Sequence, residues 1–403
     1  MAADAADERS PRYAGWRVVI VCFAVALFSW GFAFYGHGVH LAELGRLHGW
    51  STASISLAST LTYLLSAALL VFVSSAMERF GPRTFLLLAI ACMAASALLI
   101  AAVTQYWQLV AAYLLMAFGW AGMGVAAIST ILGRWFSAKR GLAISIALNG
   151  ASLSGVVFIP PLVALAGAYT FGAAVSIATA VMLVILIPLV FVFIPARHPP
   201  FAGESSQAAI DTLPPVWNSS QMLRSWPFWS VTAPFALAIA AQAGFLVHQI
   251  AYLTPVIGRE QAAFAVAVTT AFAVIGRLLL GFVVDRLHQR LTAAASFASQ
   301  TVALCVMAAS DNPAILLVTC AVYGFSVGNI ITIPALIIQR EFEPASFGRM
   351  VGLSTAVGQF IYAFGPGAVG LVRDAAGGYA AALVFCGVCN LVATVIILLP
   401  RGR

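Results

Sequence analysis

Long apolar runs broken by short polar stretches recur along the whole chain, at intervals of about 25 to 35 residues. They show no strict apolar–polar alternation, so half-buried strands are ruled out, and each is long enough as a helix to cross a hydrocarbon core of about 30 Å. The pattern predicts twelve spans, near residues 16–39, 52–77, 84–104, 107–132, 141–166, 170–195, 227–252, 261–284, 291–310, 313–339, 347–371 and 379–400. The first run is too long for a signal-peptide core and has no small-residue cleavage site after it, so it is expected to stay as helix 1. After the sixth run comes "ARHPPFAGESSQAAIDTLPPVWNSS", rich in Pro, Ser and Ala, which reads as a linker over 196–225. It separates an N-terminal six-helix bundle, 1–195, from a C-terminal one, 226–403.

Composition turns this pattern into a class. Of 403 residues 62% are hydrophobic and only 8% charged, with a mean hydropathy of +1.00. A water-soluble domain dresses its surface with far more charge. The expectation is therefore an all-α, multi-pass membrane protein of the cell (plasma or inner) membrane. Sixteen of the twenty basic residues fall on the even-numbered loops and the tails, and three, Arg46, Arg259 and Arg373, on the odd-numbered loops. That bias places both termini in the cytoplasm and accounts for the net charge of +7 without any nucleic-acid partner. Cys386 and Cys389 form a C-x-x-C inside an apolar span, where packing is expected rather than a redox or metal site. No metal or cofactor motif is present.

The loops repeat. "MERFGPR" after span 2 returns as "VDRLHQR" after span 8, so Glu78, Arg79 and Arg83 match Asp285, Arg286 and Arg290, each 207 residues on. "GRWFSAKRG" after span 4 returns as "QREFEPASFG" after span 10, with Arg134 matching Arg340 at an offset of 206. A shared offset in two separate loops marks two six-helix halves in parallel repeat.

The acid–Arg–x–Gly–x–Arg loop, its degenerate second copy and the 6+6 repeat resemble the major facilitator superfamily over the whole chain. "RWFSAKRGLAISIALNGASLSG" and "GRLLLGFVVDR" resemble its monocarboxylate and oxalate/formate transporter branch. The resemblance implies a transporter rather than an enzyme, working by alternating access, generally as a monomer. It also implies a gating role for Glu78, Arg79, Arg83, Asp285, Arg286 and Arg290, with the acids near helix N-termini meeting positive dipole ends in one state. Ser74 and His288 stand where the family prefers glycine.

One cation interrupts the pattern. Between Glu260 and Asp285 the only charged side chain is Arg277, about 12 Å along the helix axis from Asp285 and so near the midplane. A cation at that depth costs at least about 2.5 kcal/mol. All thirteen acids fall in tails, in loops or at span ends. A substrate carboxylate is the economical counter-ion, because a guanidinium offers paired donors matched to it. In the branch that Arg277 resembles, an arginine four residues before the loop's first glycine, here Gly281, binds the substrate carboxylate. An aspartate used there in proton coupling is replaced by Ala273, and a helix 11 lysine of the oxalate exchangers by Gly358. The alternative is a structural arginine bonded to backbone carbonyls.

Helices 1, 4, 7 and 10 line the path in this superfamily. Candidates there and on neighbouring spans are Tyr35, His37, Trp120, Asn149, Tyr323 and Gln359, each of which could equally pack between helices. Lacking a midspan acid, the chain could couple to protons only through a histidine such as His37, or move a protonated acid, or exchange anions. His40 and His248 are expected at the wet interface. The competing function is a proton-coupled drug or multidrug exporter of the same fold, disfavoured by the absence of a buried acid.

Overall fold

A computed structural model describes residues 8, 10, 12–136, 139–196, 219–283, 287–330, 333–343 and 347–399. Residues 197–218 of the predicted linker lie outside them, as do Asp285 and Arg286, and its last part forms a short helix, Ser219–Leu223. The described chain is helical throughout, and twelve helices are long and apolar enough to span a membrane. They are α1 (Gly15–His48), α2 (Thr52–Phe80), α3 (Pro82–Ala101), α4 (Tyr106–Gly133), α5 (Arg140–Ala168) and α6 (Phe171–Phe193), then α7 (Trp226–Ile257), α8 (Arg259–Leu280), α9 (Gln289–Ala309), α10 (Pro313–Ile330), α11 (Met350–Ala376) and α12 (Tyr379–Leu398). Every predicted span has its helix.

The largest difference is at α1, which runs to His48 rather than stopping near residue 39. Its last turns carry Glu43 and Arg46 and so fall below any hydropathy threshold, but Glu43 is 5% exposed and paired with Arg46 and Arg259. Ion pairing and packing keep the helix going where the apolar signal ends.

Packing resolves the chain into two compact units, Met1–His37 with Leu64–Ala208, and Gly38–Tyr63 with Ala209–Arg403. The far end of α1 and the start of α2 thus pack with the second unit. Within it Ala53 N donates to Asp374 Oδ2 at 2.7 Å, Gly367 N to Thr60 Oγ1 at 3.2 Å, and Ser56 Oγ lies 3.0 Å from His248 Nε2.

Two irregularities shape the first unit. Gly31–Tyr35 of α1 forms a π-helical turn, and α5 breaks at Phe158, just before Pro160 and Pro161. Such single π turns often occur at functional positions. Phe28 and Phe32 meet the Phe158 ring edge-on at 6.2 and 4.8 Å. A Cβ on Gly31 would lie 2.7 Å from that ring, so the two breaks are fitted to each other.

Candidate functional site

In the second unit the site is built on the seam of α8 with α10. Here Gly276 faces the Phe325 carbonyl, Gly324 that of Thr269 and Gly328 that of Ala273, each too close for a Cβ. Without a hydrophobic driving force between helices in lipid, such backbone contact maximises dispersion attraction. Arg277 sits on this seam, half-buried, and its Nε donates to the Gly328 carbonyl at 3.3 Å. The backbone-carbonyl contact expected of a structural arginine is therefore present, and it is made to a neutral oxygen.

A third helix joins from α7. Gln242, Phe245 and Gln249 are spaced by three and four residues and share one helical face. The Phe245 ring meets Tyr323 of α10 edge-on at 4.6 Å. Gln249 Nε2 donates to Thr269 Oγ1 of α8 at 2.8 Å and lies 3.4 Å from Cys320 Sγ. That face of α7 therefore looks onto α8 and α10. Tyr323 and Gln249 are fully buried and Gln242 is 8% exposed. The Tyr323 hydroxyl, Gln242 Oε1 and Gln249 Oε1 make no hydrogen bond within the protein. Gln359, on α11, is half-buried.

His248 and His40 overturn the expectation of a wet interface, each being only 1% exposed. His248 has three polar neighbours: the Pro366 carbonyl and Ser56 Oγ, both 3.0 Å from Nε2, and the Tyr379 hydroxyl, 3.1 Å from Nδ1. A carbonyl can only accept, so Nε2 carries the proton and Nδ1 accepts from Tyr379. The polar pattern at the helix end misled because the partners come from three other helices.

The first unit's candidates are all enclosed or half-enclosed. Tyr35 is 7% exposed and lies on the π turn, its ring 4.9 Å from Phe34. His37 is fully buried and stacks at 4.8 Å on Tyr113 of α4, an aromatic that the sequence reading missed. Trp120 packs at 4.6 Å against Trp30, and Asn149 is half-buried beside Gly150, which abuts the Phe23 carbonyl of α1.

The loop charges bind within their own units. In the first, Glu78 pairs with Arg134 at 3.1 Å, Arg79 is exposed over Phe80, and Arg83 Nε donates to the Ile194 carbonyl at 2.7 Å. In the second, Arg290 is 8% exposed and grips Glu341 with two bonds of 2.8 and 2.9 Å. It also donates to Ser230 Oγ at 2.9 Å and to the Ile397 carbonyl at 3.1 Å. The repeat-related Arg83 and Arg290 thus both bond a carbonyl at the end of their unit's last helix, a structural counterpart of the 207-residue repeat.

A comparison with known families decides the class. The Major Facilitator Superfamily profile matches residues 18–366 and 257–403. The chain belongs to the Major Facilitator Superfamily. This facilitator is a multi-pass membrane transporter, not an enzyme. The MFS transporter asaE of Aspergillus flavus is 26% identical over 96% of this chain and 86% of its own length. Monocarboxylate transporter 13 of Bos taurus is 24% identical over 96% and 89%. Among solved structures, a bacterial homologue of the human lysosomal transporter Spinster superposes with a TM-score of 0.73 at 13% identity, covering 96% of this chain and 95% of its own. The nucleoside transporter NupG gives 0.71 at 14% identity, covering 96% and 99%. At such identity the two structures show the shared fold alone.

Proposed function

We propose that this facilitator is a secondary active or exchange transporter of small organic anions, chiefly monocarboxylates, whose carboxylate is received by Arg277. The observation that carries the reading is the place of Arg277. The one charged side chain of the sequence between Glu260 and Asp285 stands half-buried on the backbone seam of α8 with α10, its Nε on the Gly328 carbonyl. A guanidinium on that seam offers a carboxylate paired, directional bonds. The name of the bovine relative points the same way.

Tyr323 and Gln359 of the second unit, and Tyr35, His37, Trp120 and Asn149 of the first, are the further substrate-contacting candidates. The transporter works by alternating access as a monomer in the cell membrane, with both termini cytoplasmic. The loop acids Glu78 and Asp285, with Arg79, Arg83, Arg286 and Arg290, take part in the gating.

Thermal stability of the purified protein in detergent tests the class. Short carboxylates are expected to raise the melting temperature in a saturable way, and lipophilic cations to leave it unchanged. Stabilisation by the cations alone would establish the drug-exporter alternative.

A further inference from the structure

The far end of α1 and the start of α2 come from the first six helices of the chain, yet they are docked on helices of the last six. Glu43 of α1 pairs with Arg259 of α8, and Asp374 of α11 caps the first turn of α2 through Ala53 N. Close approaches run along the same seam. A Cβ on Gly38 would lie 2.9 Å from the Val247 carbonyl, one on Gly367 2.7 Å from Thr60 Oγ1, and one on Gly370 2.8 Å from Ser56 Oγ. The three arginines that break the positive-inside bias are all engaged here, Arg46 and Arg259 on Glu43 and Arg373 on Asp374. His248 sits inside this docking, tied to α2 through Ser56, to α11 through the Pro366 carbonyl and to α12 through Tyr379.

We propose that His248 is a proton-binding lock: neutral, it holds the far end of α1 and the start of α2 on the last six helices, and protonated, it releases them at the odd-loop end. The proposal rests on the alternating-access part of the reading above, and not on a carboxylate at Arg277. The groups around the ring suit the neutral form. Nε2–H faces two acceptors, the Pro366 carbonyl and Ser56 Oγ, whose own hydroxyl donates to Thr52 O at 2.7 Å. Nδ1 takes the Tyr379 proton, so a second ring proton has to displace that bond. The charges that act on the ring are Asp374 and Arg373 of α11. Asp374 is already committed, Oδ2 to Ala53 N and Oδ1 to Arg373 at 2.8 Å, and the Arg373 guanidinium lies 5.6 Å over the Tyr379 ring, a like charge for an imidazolium. On the end of α1, Glu43 is divided between Arg46 and Arg259, and His40 is buried. The other titratable groups on these elements are the phenols of Tyr252 on α7 and Tyr63 on α2. Enclosing an imidazolium among such partners is costly, so protonation and closure oppose each other, and by linkage a bound proton favours the open seam. A wetted histidine titrates near pH 6.5, so the closed-to-open ratio falls about tenfold for each pH unit below that.

Double electron–electron resonance tests this in nanodiscs without substrate, with spin labels on Leu47→Cys at the end of α1 and Asp311→Cys before α10, in the otherwise cysteine-free protein. The wild type is expected to give one short distance at pH 7.5 and, at pH 5.5, a longer one with an open-to-closed ratio roughly tenfold higher. His248→Gln keeps a donor and an acceptor but takes no proton, and should hold the short distance at both pH values. Tyr379→Phe removes the bond to Nδ1 and should move the midpoint up by roughly one pH unit. Arg259→Gln, which weakens the tie of α1 to α8, is the opening control and should show the longer distance already at pH 7.5. Identical wild-type distances at pH 7.5 and 5.5 with the control open would overturn the lock, as would His248→Gln following pH like the wild type. The short distance alone in all four proteins would overturn the docking as a gate. None of these outcomes touches the carboxylate reading, which the melting assay with carboxylates decides separately.

Discussion

Replacing Gly328 by alanine tests whether the α8–α10 seam holds Arg277 in place. A Cβ there would run into the Ala273 carbonyl and lie 3.2 Å from the Arg277 Cβ. Backbone atoms cannot swing aside, so to regain an ordinary contact of at least 3.4 Å the seam must open by about 1 Å. Overpacking of that kind costs about 1–3 kcal/mol. The Arg277 Nε–Gly328 bond, already 3.3 Å long, would pass beyond hydrogen-bonding range, and a bond to a charged donor is worth about 1.5–3 kcal/mol. The sum is about 2.5–6 kcal/mol before relaxation. Gly352→Ala in α11 is the control, because a Cβ there meets nothing within 4 Å and alanine gains up to about 1 kcal/mol of helix propensity. Unfolding in mixed detergent should show Gly328→Ala clearly destabilised, with weaker carboxylate-induced stabilisation, and Gly352→Ala unchanged or improved. Equal stability of the two variants would refute the close-packed seam.

Two further predictions concern the helix ends. Arg290→Met alone should cost about 3–5 kcal/mol, because it removes both guanidinium bonds to the enclosed Glu341 carboxylate, whereas Arg290→Met with Glu341→Leu should recover much of that loss. A double-mutant cycle in the same unfolding assay measures the coupling, and additive effects would deny that the pair acts as a unit. Outside the membrane, Tyr13 donates to the Trp135 carbonyl, and burial, with the Glu8 carboxylate adding to it, raises its phenol above the ordinary value near 10. A raised folded-state pKa gives stability that is complete below the unfolded value and lost as pH rises through the folded one, so the wild type should lose stability above about pH 10. Tyr13→Phe should abolish that component, and identical pH profiles for the two proteins would contradict it.

The fold was legible because lipid leaves so few options: backbone groups must be satisfied internally, so an uncharged run of sufficient length becomes a helix. The last turns of α1 escaped the pattern because Arg259, more than two hundred residues away, supplies the partner of Glu43. The π turn at Gly31–Tyr35 has no sequence signature beyond nearby glycines, whereas the break at Phe158, unread in the continuous span 141–166, does have one in Pro160 and Pro161. Charge made Arg277 conspicuous, and its counter-ion question could be posed from composition alone. The α7 face was only partly readable. Gln242 and Gln249 stand out as amides, but Phe245 looks like any apolar residue until Tyr323 is placed against it. His40 and His248 show the limit, since burial in a bundle depends on partners drawn from several helices.

Uptake of labelled lactate, pyruvate, acetate and oxalate into proteoliposomes tests the central claim, for wild type, Arg277→Lys and Arg277→Gln, with and without an inward proton gradient. Saturable carboxylate uptake in the wild type, lost in both variants while their folded fraction is retained, is the predicted result. Normal transport by Arg277→Gln would contradict it and leave Arg277 as a structural bond to Gly328.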